Sequence, residues 1–384
     1  MSDLASLESA THQAIVSTKD LQRHIRQCIQ KVATGPEYSK NLTYAEAYKA
    51  MRYVLSADTD PVQVAVYLVG LRMKRETEEE NRGTLQALID TAIISTACVD
   101  EVLDISDPYD GYARGVPAST FVPAVLATMG IPSVLHGLEQ VGPKFGATHH
   151  KILKAAGVKV DLTPAQATAQ LEQVGWTYID QKQFAPRLHD LIPIRQRMVK
   201  RQILTTVETL LGPIRGQHKT HCIGGYVHKA YPAIYASLAR QAGFASAAFV
   251  RGMEGGILPS LQQAGKLFYY HEQSDVQQLE LTPATVGIQA EVRAVPLPLD
   301  LPAAPVLDGI IDTAIHSDAL AAVAAQQGLG ALGGEQGLMH DSIVYAAAIC
   351  LQHLRRYDSL ATAADAVRAI LASGAALATF RAAA

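Results

Sequence analysis

Most features that announce a specialised protein are scarce in this sequence. Only four cysteines occur in 384 residues, Cys28, Cys98, Cys222 and Cys350, far apart and without a C-x-x-C pair. That spacing excludes a disulfide framework and a zinc knuckle, and reads as four buried or reduced thiols. No uninterrupted apolar run is long enough to span a bilayer, and the opening residues, M-S-D-L-A-S-L-E-S, lack the basic flank and apolar segment of a secretion signal. The expected location is therefore the cytoplasm, with no membrane partner. Charge of one sign is missing too: 33 Lys/Arg face 36 Asp/Glu, a net charge of −3, so any nucleic-acid role must rest on local charge.

What is present is an apolar fraction of 48%, enough for one large domain with a smaller one. Residues 1–17 are small and polar and read as a flexible extension. From Leu21 the period is helical, with Leu21, Ile25, Cys28, Ile29 and Val32 on one face and a stop at Gly35-Pro36. Thr43 with Glu46 predicts a capping box, Asp60-Pro61 opens a third helix and Thr77 a fourth, so the chain is all-α to about residue 94. Beyond Cys98 short apolar runs at 101–105, 120–129, 133–135, 220–223, 246–250 and 266–270 alternate with helices, which predicts an α/β sheet that is at least partly parallel. The Ala-rich stretches 341–354 and 359–377 read as closely packed helices, and the four prolines within 296–305 as a loop.

Several segments in order resemble the anthranilate phosphoribosyltransferase family, glycosyltransferase family 3. They include L-T-Y-A-E-A at 42–47, L-V-G-L-R-M-K-R-E-T at 68–77, F-A-P at 184–186, L-L-G-P at 210–213 and H-D-S-I-V-Y-A-A-A at 340–348. The resemblance implies an anthranilate/nucleoside phosphoribosyltransferase-type fold, in which a mostly parallel central sheet flanked by helices is joined to a small all-α domain. The implied division is a helical, dimerising unit of 18–95 plus about 187–212, and an α/β unit of 96–186 plus about 213–384, with the site between them.

The motifs that carry the family's chemistry are altered. In the loop that the family writes K-H-G-N-R-S-V-S-S-K-S-G, His136, Gly137, Lys144 and Gly146 match, but Leu138 and Glu139 replace Asn and Arg, so a carboxylate stands where a cation should meet pyrophosphate. The glycine-rich turn G-T-G-G-D-G corresponds to residues 106–111, which keep only Asp110-Gly111 and add Asp107. The magnesium motif corresponds to 251–258, where Arg251 and Glu254 remain as candidates and Ile257-Leu258 replace the Asp-Glu pair. Phosphate or ligand candidates are thus Asp110, Gly111, His136, Gly137, Lys144, Gly146, Arg251 and Glu254. Magnesium is implied only for a transferase. The adjacent His149-His150 point about 100° apart on a helix and suggest a surface or capping pair, not a metal site.

These departures, with R-Q-R-M at 195–198 and R-G-M-E-G-G at 251–256, resemble family paralogues that bind nucleic acid. Independently, the segment between Pro186 and Pro232 holds eight Lys/Arg against Asp190 and Glu208, a local charge of +6. Arg195, Arg197, Lys200, Arg201, Arg215 and Lys219 are its phosphate-contact candidates, with Arg197, Lys200 and Arg201 on one helix face and Tyr109, Tyr112 and Tyr226 as stacking groups. The bland alternative is a solvated face whose arginines pair with acids elsewhere, such as Glu78–Glu80. The expected function is binding of a phosphate-rich ligand such as nucleic acid by a homodimer. The alternatives are pentosyl transfer to another acceptor, or to anthranilate itself.

Overall fold

In the computed structural model residues 18–304 and 315–384 are described; the extension expected over 1–17 lies outside them. The first four helices are α1 (Thr18–Val32), α2 (Tyr44–Val54), α3 (Pro61–Lys74) and α4 (Glu78–Ile89), and side-chain caps set the starts of the last three. Thr43 and Glu46 form the expected capping box, Thr77 and Glu80 form a second, and the Asp60 side chain caps α3. Glu80 also accepts from the Leu42 amide at 2.8 Å and pairs with Lys74 at 2.7 Å, so one buried carboxylate ties the bundle together. It is therefore not a partner for the arginines of 195–201.

Seven strands form the main sheet: β1 (Glu101–Ser106), β2 (Ser133–Gly137), β3 (Trp176–Asp180), β4 (Lys219–Tyr226), β5 (Ser246–Arg251), β6 (Gly265–His271) and β7 (Gln277–Leu281). Their spatial order is β3-β2-β1-β4-β5-β6-β7; β1 to β5 pair in parallel, while β6 and β7 add antiparallel. The apolar run at 120–129 is helical instead of extended: Pro123 sits in the first turn of Val122–Thr128, where its missing N–H costs nothing, whereas a central strand would need that donor.

Alternate residues of β1 feed two cores. Leu103 and Ile105 pack with the C-terminal helices, Val102 with the face that continues into α1–α4. The alanines of Leu338–His353 and Leu360–Ala372 are contact surfaces, with Ala346, Ala347, Ala348, Ala363 and Ala364 essentially inaccessible. Cys28, Cys222 and Cys350 are buried and Cys98 is exposed, and all four are free thiols, within the reading of buried or reduced cysteines. Among the described residues no single helix is long and apolar enough to cross a membrane.

Sheet register places the chemistry at two ends. The C-terminal ends of β1, β2, β4 and β5 open on a cleft toward the helical bundle, the usual place for ligands in a parallel sheet. At the opposite end His221, Ser246 and His271 are cross-strand neighbours on β4, β5 and β6, and His353 closes over them from the end of its helix. Burial, reinforced by Lys219, lowers the His221 imidazole to about 4. Burial, with His271, His221 and Arg355 nearby, holds His353 well below the ordinary range. An unfolded histidine takes up its proton near pH 6.5, so stability is complete above that pH and falls as pH drops toward 4, by about 3 kcal/mol for His221 alone. Urea unfolding at about pH 7.5 and 5 should show this loss, and His221→Gln should remove part of it; an identical pH dependence in the variant would contradict the assignment.

Candidate functional site

The cleft has a volume of about 640 Å³, and Asp110, Lys144, Glu254 and Arg201 meet at its floor. Gly111 at φ +72 turns the chain after β1, and any side chain on it would strike the Ala147 carbonyl. This lays the 108–112 loop against the 145–147 segment, fixed by the Tyr112–Ala147 bridge. The Asp110 carboxylate then receives Lys144 at 3.2 Å and Arg201 at 2.6 Å.

Glu254 makes the more consequential contact. It stands in the left-handed region, at φ 54 and ψ 14, in the turn after β5. There its carboxylate accepts from the Ala113 amide at 3.0 and 3.1 Å and the Arg114 amide at 2.8 Å, with Lys144 at 3.5 Å. Two consecutive N–H groups and a lysine make an anion cradle, and the chain's own carboxylate lies in it. The turn can approach so closely because Gly256 has no side chain: a Cβ there would sit 1.7 Å from the Tyr112 hydroxyl.

Several expected site residues lie elsewhere. His136 is fully buried between Asp104, at 2.9 Å, and the Tyr109 hydroxyl, a core hydrogen-bond relay and not a ligand group. Gly137 ends β2 beside Tyr178 and Tyr109, Gly146 packs on the Tyr112 backbone, and Arg251 is exposed at the end of β5. Asp107 does not present charge to a ligand. It is buried, accepting from the Ile257 amide and the Tyr112 hydroxyl at 2.8 Å and facing His149 at 3.3 Å. Burial alone would raise its carboxyl, but His149, Ser119 and the Ile257 N–H together hold it below the ordinary range. Glu139 points to Lys154 at the surface, so the expected repulsion is absent and only the cation is lost. His149 and His150 are mostly buried and pair separately with Asp107 and Asp180, not at the surface as expected.

The basic segment is not one face. Its helix, Ile192–Met198, stops because Val199 turns to φ 61, so Lys200 and Arg201 lie beyond it and the predicted helical stripe does not form. Arg195 is buried in a two-pronged ion pair with Glu208, at 2.6 and 2.7 Å. Arg215 bonds the Leu211 and Gly212 carbonyls and lies over Phe244. Lys219 sits at the opposite end of the sheet with Glu272. Tyr109, Tyr112 and Tyr226 are only 3% exposed and offer no stacking platform. Arg197, Lys200 and Arg201 remain exposed.

Sequence reasoning missed Arg72 and Arg114, which line the cleft with Lys144 and Arg201. Among the described residues the cleft's carboxylates are Asp110 and Glu254, both already engaged, and no group of three His, Cys, Asp or Glu is placed to hold a metal. This donor set does not fit Mg²⁺, which needs carboxylates free to face it.

Residues 113–377 match the glycosyl transferase family a/b domain and residues 26–92 its helical bundle domain. An anthranilate phosphoribosyltransferase of Nitrobacter hamburgensis is 28% identical over 266 residues, 69% of this chain and 75% of that one. The Thermus thermophilus anthranilate phosphoribosyltransferase has a TM-score of 0.68 at 20% identity, covering 93% of this chain and 97% of that one. The Saccharomyces cerevisiae enzyme in complex with PRPP and Mg has a TM-score of 0.71 at 15% identity, covering 94% and 97%. At these identities the structural likeness establishes the fold.

Removing Arg195 would leave Glu208 buried without its cation. Arg195→Ala should therefore cost about 3–5 kcal/mol in urea unfolding; a loss below about 1 kcal/mol would show that the pair is not a structural anchor.

Proposed function

The chain belongs to the glycosyl transferase family as an anthranilate phosphoribosyltransferase-like member, and from that premise we propose that it binds a phosphate-rich ligand, nucleic acid foremost, without magnesium-dependent phosphoribosyl transfer. The observation that carries this reading is the charge of the cleft. Arg72, Arg114, Lys144 and Arg201 line it against Asp110 and Glu254; Lys144 and Arg201 pair with those acids and Arg72 with Glu76 at 3.4 Å, which leaves Arg114 as the lining cation without an ion-pair partner among the described residues. A strand lying across the cleft would place its phosphates near Arg114, Lys144 and Arg201. Few bases would be read, because the available contacts are to backbone phosphate.

A second reading, pentosyl transfer to an acceptor other than anthranilate, is favoured by Tyr231 and Tyr235, which give the cleft an aromatic wall beside Thr205 and Thr206. Product formation from phosphoribosyl pyrophosphate without added metal would select it.

The proposed assembly is a homodimer through the helical unit of 18–95 with about 187–212, in which the helices Ile192–Met198 and Leu204–Val207 pack on α3 and α4. Supporting it is an apolar groove of about 580 Å³ between α1 and α3, with Val66 41% and Met73 77% exposed.

Fluorescence polarisation of a labelled single-stranded oligonucleotide should show affinity that falls steeply between about 50 and 200 mM salt, and Lys200→Ala with Arg201→Ala should weaken it for every sequence and flatten the salt dependence. Unchanged affinity in the double variant would remove the cleft rim from the reading. Sedimentation should find a dimer that Met73→Glu converts to monomer; a monomeric parent protein would end the dimer proposal.

A further inference from the structure

One wall of the cleft is aromatic, and its rings form a continuous file. Tyr231 and Tyr235 both line the cleft, and because they lie four residues apart in the helix Tyr231–Gln241 they share a face. Their ring centroids are 5.3 Å apart at 45°. His228 stands 6.2 Å from Tyr231 at one end of the file, and Phe249 of β5 stands 5.5 Å from Tyr235 at the other. Phe249 is buried, the two tyrosines are partly exposed and His228 is fully so, so the file runs from the core to the mouth of the cleft. Its support is fixed as well. Gln241, at the end of the same helix, accepts from Arg82 Nε at 2.9 Å and donates to the Arg82 carbonyl at 2.8 Å, which ties the helix to α4. Rings held in this way offer a stacking surface that loses little freedom when a flat ligand arrives.

The charged groups of the cleft lead away from this wall in order. Arg72 donates to the Tyr231 hydroxyl at 3.4 Å, and Arg201 acts on the Tyr235 hydroxyl while pairing with Asp110. Lys144 joins Asp110 to Glu254, and Glu254 lies on the Arg114 amide. The series ends at Arg114, exposed and without an ion-pair partner among the described residues. A ligand that uses both ends of the cleft therefore carries a flat aromatic group at one end and a phosphate at the other. A volume of about 640 Å³ accepts one such unit.

We infer, resting on the nucleic-acid reading above, that the cleft takes in one unpaired nucleotide of a single strand, with its base laid on Tyr231 and its phosphate toward Arg114. Two selectivities follow from the chemistry. Every base has a π-face, so stacking on tyrosine does not depend on sequence. In a duplex the faces of each base are covered by its neighbours, and a base reaches Tyr231 only after its stacking and pairing are broken, so single strands are favoured.

The test is fluorescence polarisation at about 50 mM salt with three probes: a labelled single strand of about ten residues, the same backbone with abasic sites throughout, and the duplex of the same sequence. The intact strand should bind the parent protein at least about tenfold more tightly than the abasic one, a comparison that needs no variant. Tyr231→Ala should remove that difference by weakening the intact strand alone, and Tyr231→Phe, which keeps the ring, should restore most of the loss. The salt dependence should be the same in Tyr231→Ala, because no phosphate contact is removed. Adenosine monophosphate should displace the strand only at millimolar concentration; displacement at micromolar concentration would make a free mononucleotide the ligand and overturn the assignment to a strand. The inference is also overturned if the abasic strand binds as well as the intact one, or if Tyr231→Ala weakens strand and duplex equally or not at all, and the cleft then remains a phosphate site. Failure of all three probes to bind contradicts the nucleic-acid reading itself.

Discussion

The Glu254 carboxylate, seated on the amides of Ala113 and Arg114, is the contact on which the geometry of the cleft depends. It requires a left-handed residue that is not glycine, and the neighbouring glycines to let the turn reach Tyr112. In return it satisfies two N–H groups, draws Lys144 inward and shares that lysine with Asp110. Arg201 completes the set on the other Asp110 oxygen, so two cations and two carboxylates neutralise one another where the strands of a parallel sheet open. Such a balanced floor holds its loops in place without any ligand. It also means that an incoming phosphate has to exchange with a carboxylate the chain supplies itself, beside Arg114 and an Arg72 that is itself paired with Glu76.

The two ends of the sheet handle charge in opposite ways. At the cleft, charged groups are compensated by one another and by backbone amides. At the far end, burial and neighbouring cations keep three imidazoles neutral, and one buried ring nitrogen goes without a partner. The central strands connect these ends: β1 runs from Glu101 at the histidine cluster to the Asp107–Asp110 turn, and β4 from His221 to Tyr226. Sheet register therefore sets both ends, while the loops decide what the cleft can hold.

Local rules were legible in the sequence wherever the partners lie within a few residues. The Thr43–Glu46 box, the Asp60-Pro61 start and the Thr77 start of α4 are of this kind. The helix Ser317–Leu332 escaped notice because its alanines and glycines carry almost no periodic contrast. Charge was harder still. A count over 186–232 cannot show that Arg195 folds onto Glu208, that Val199 ends the helix before Lys200, or that Asp107 turns inward to the Ile257 amide 150 residues away. Asp110, Lys144 and Glu254 were found through their motif positions and do converge. Arg114 was passed over although it stands four residues beyond Asp110, because its use depends on where the loop carries it.

The central claim is that the chain's own carboxylate occupies the cleft's anion cradle. Calorimetric titration of metal-free pyrophosphate into the parent protein and into Glu254→Gln tests it most directly, since glutamine keeps an acceptor for the two amides but removes the competing charge. Binding about tenfold tighter in the variant is the predicted result. Equal or weaker binding in Glu254→Gln would contradict the claim and return Glu254 to a purely structural role.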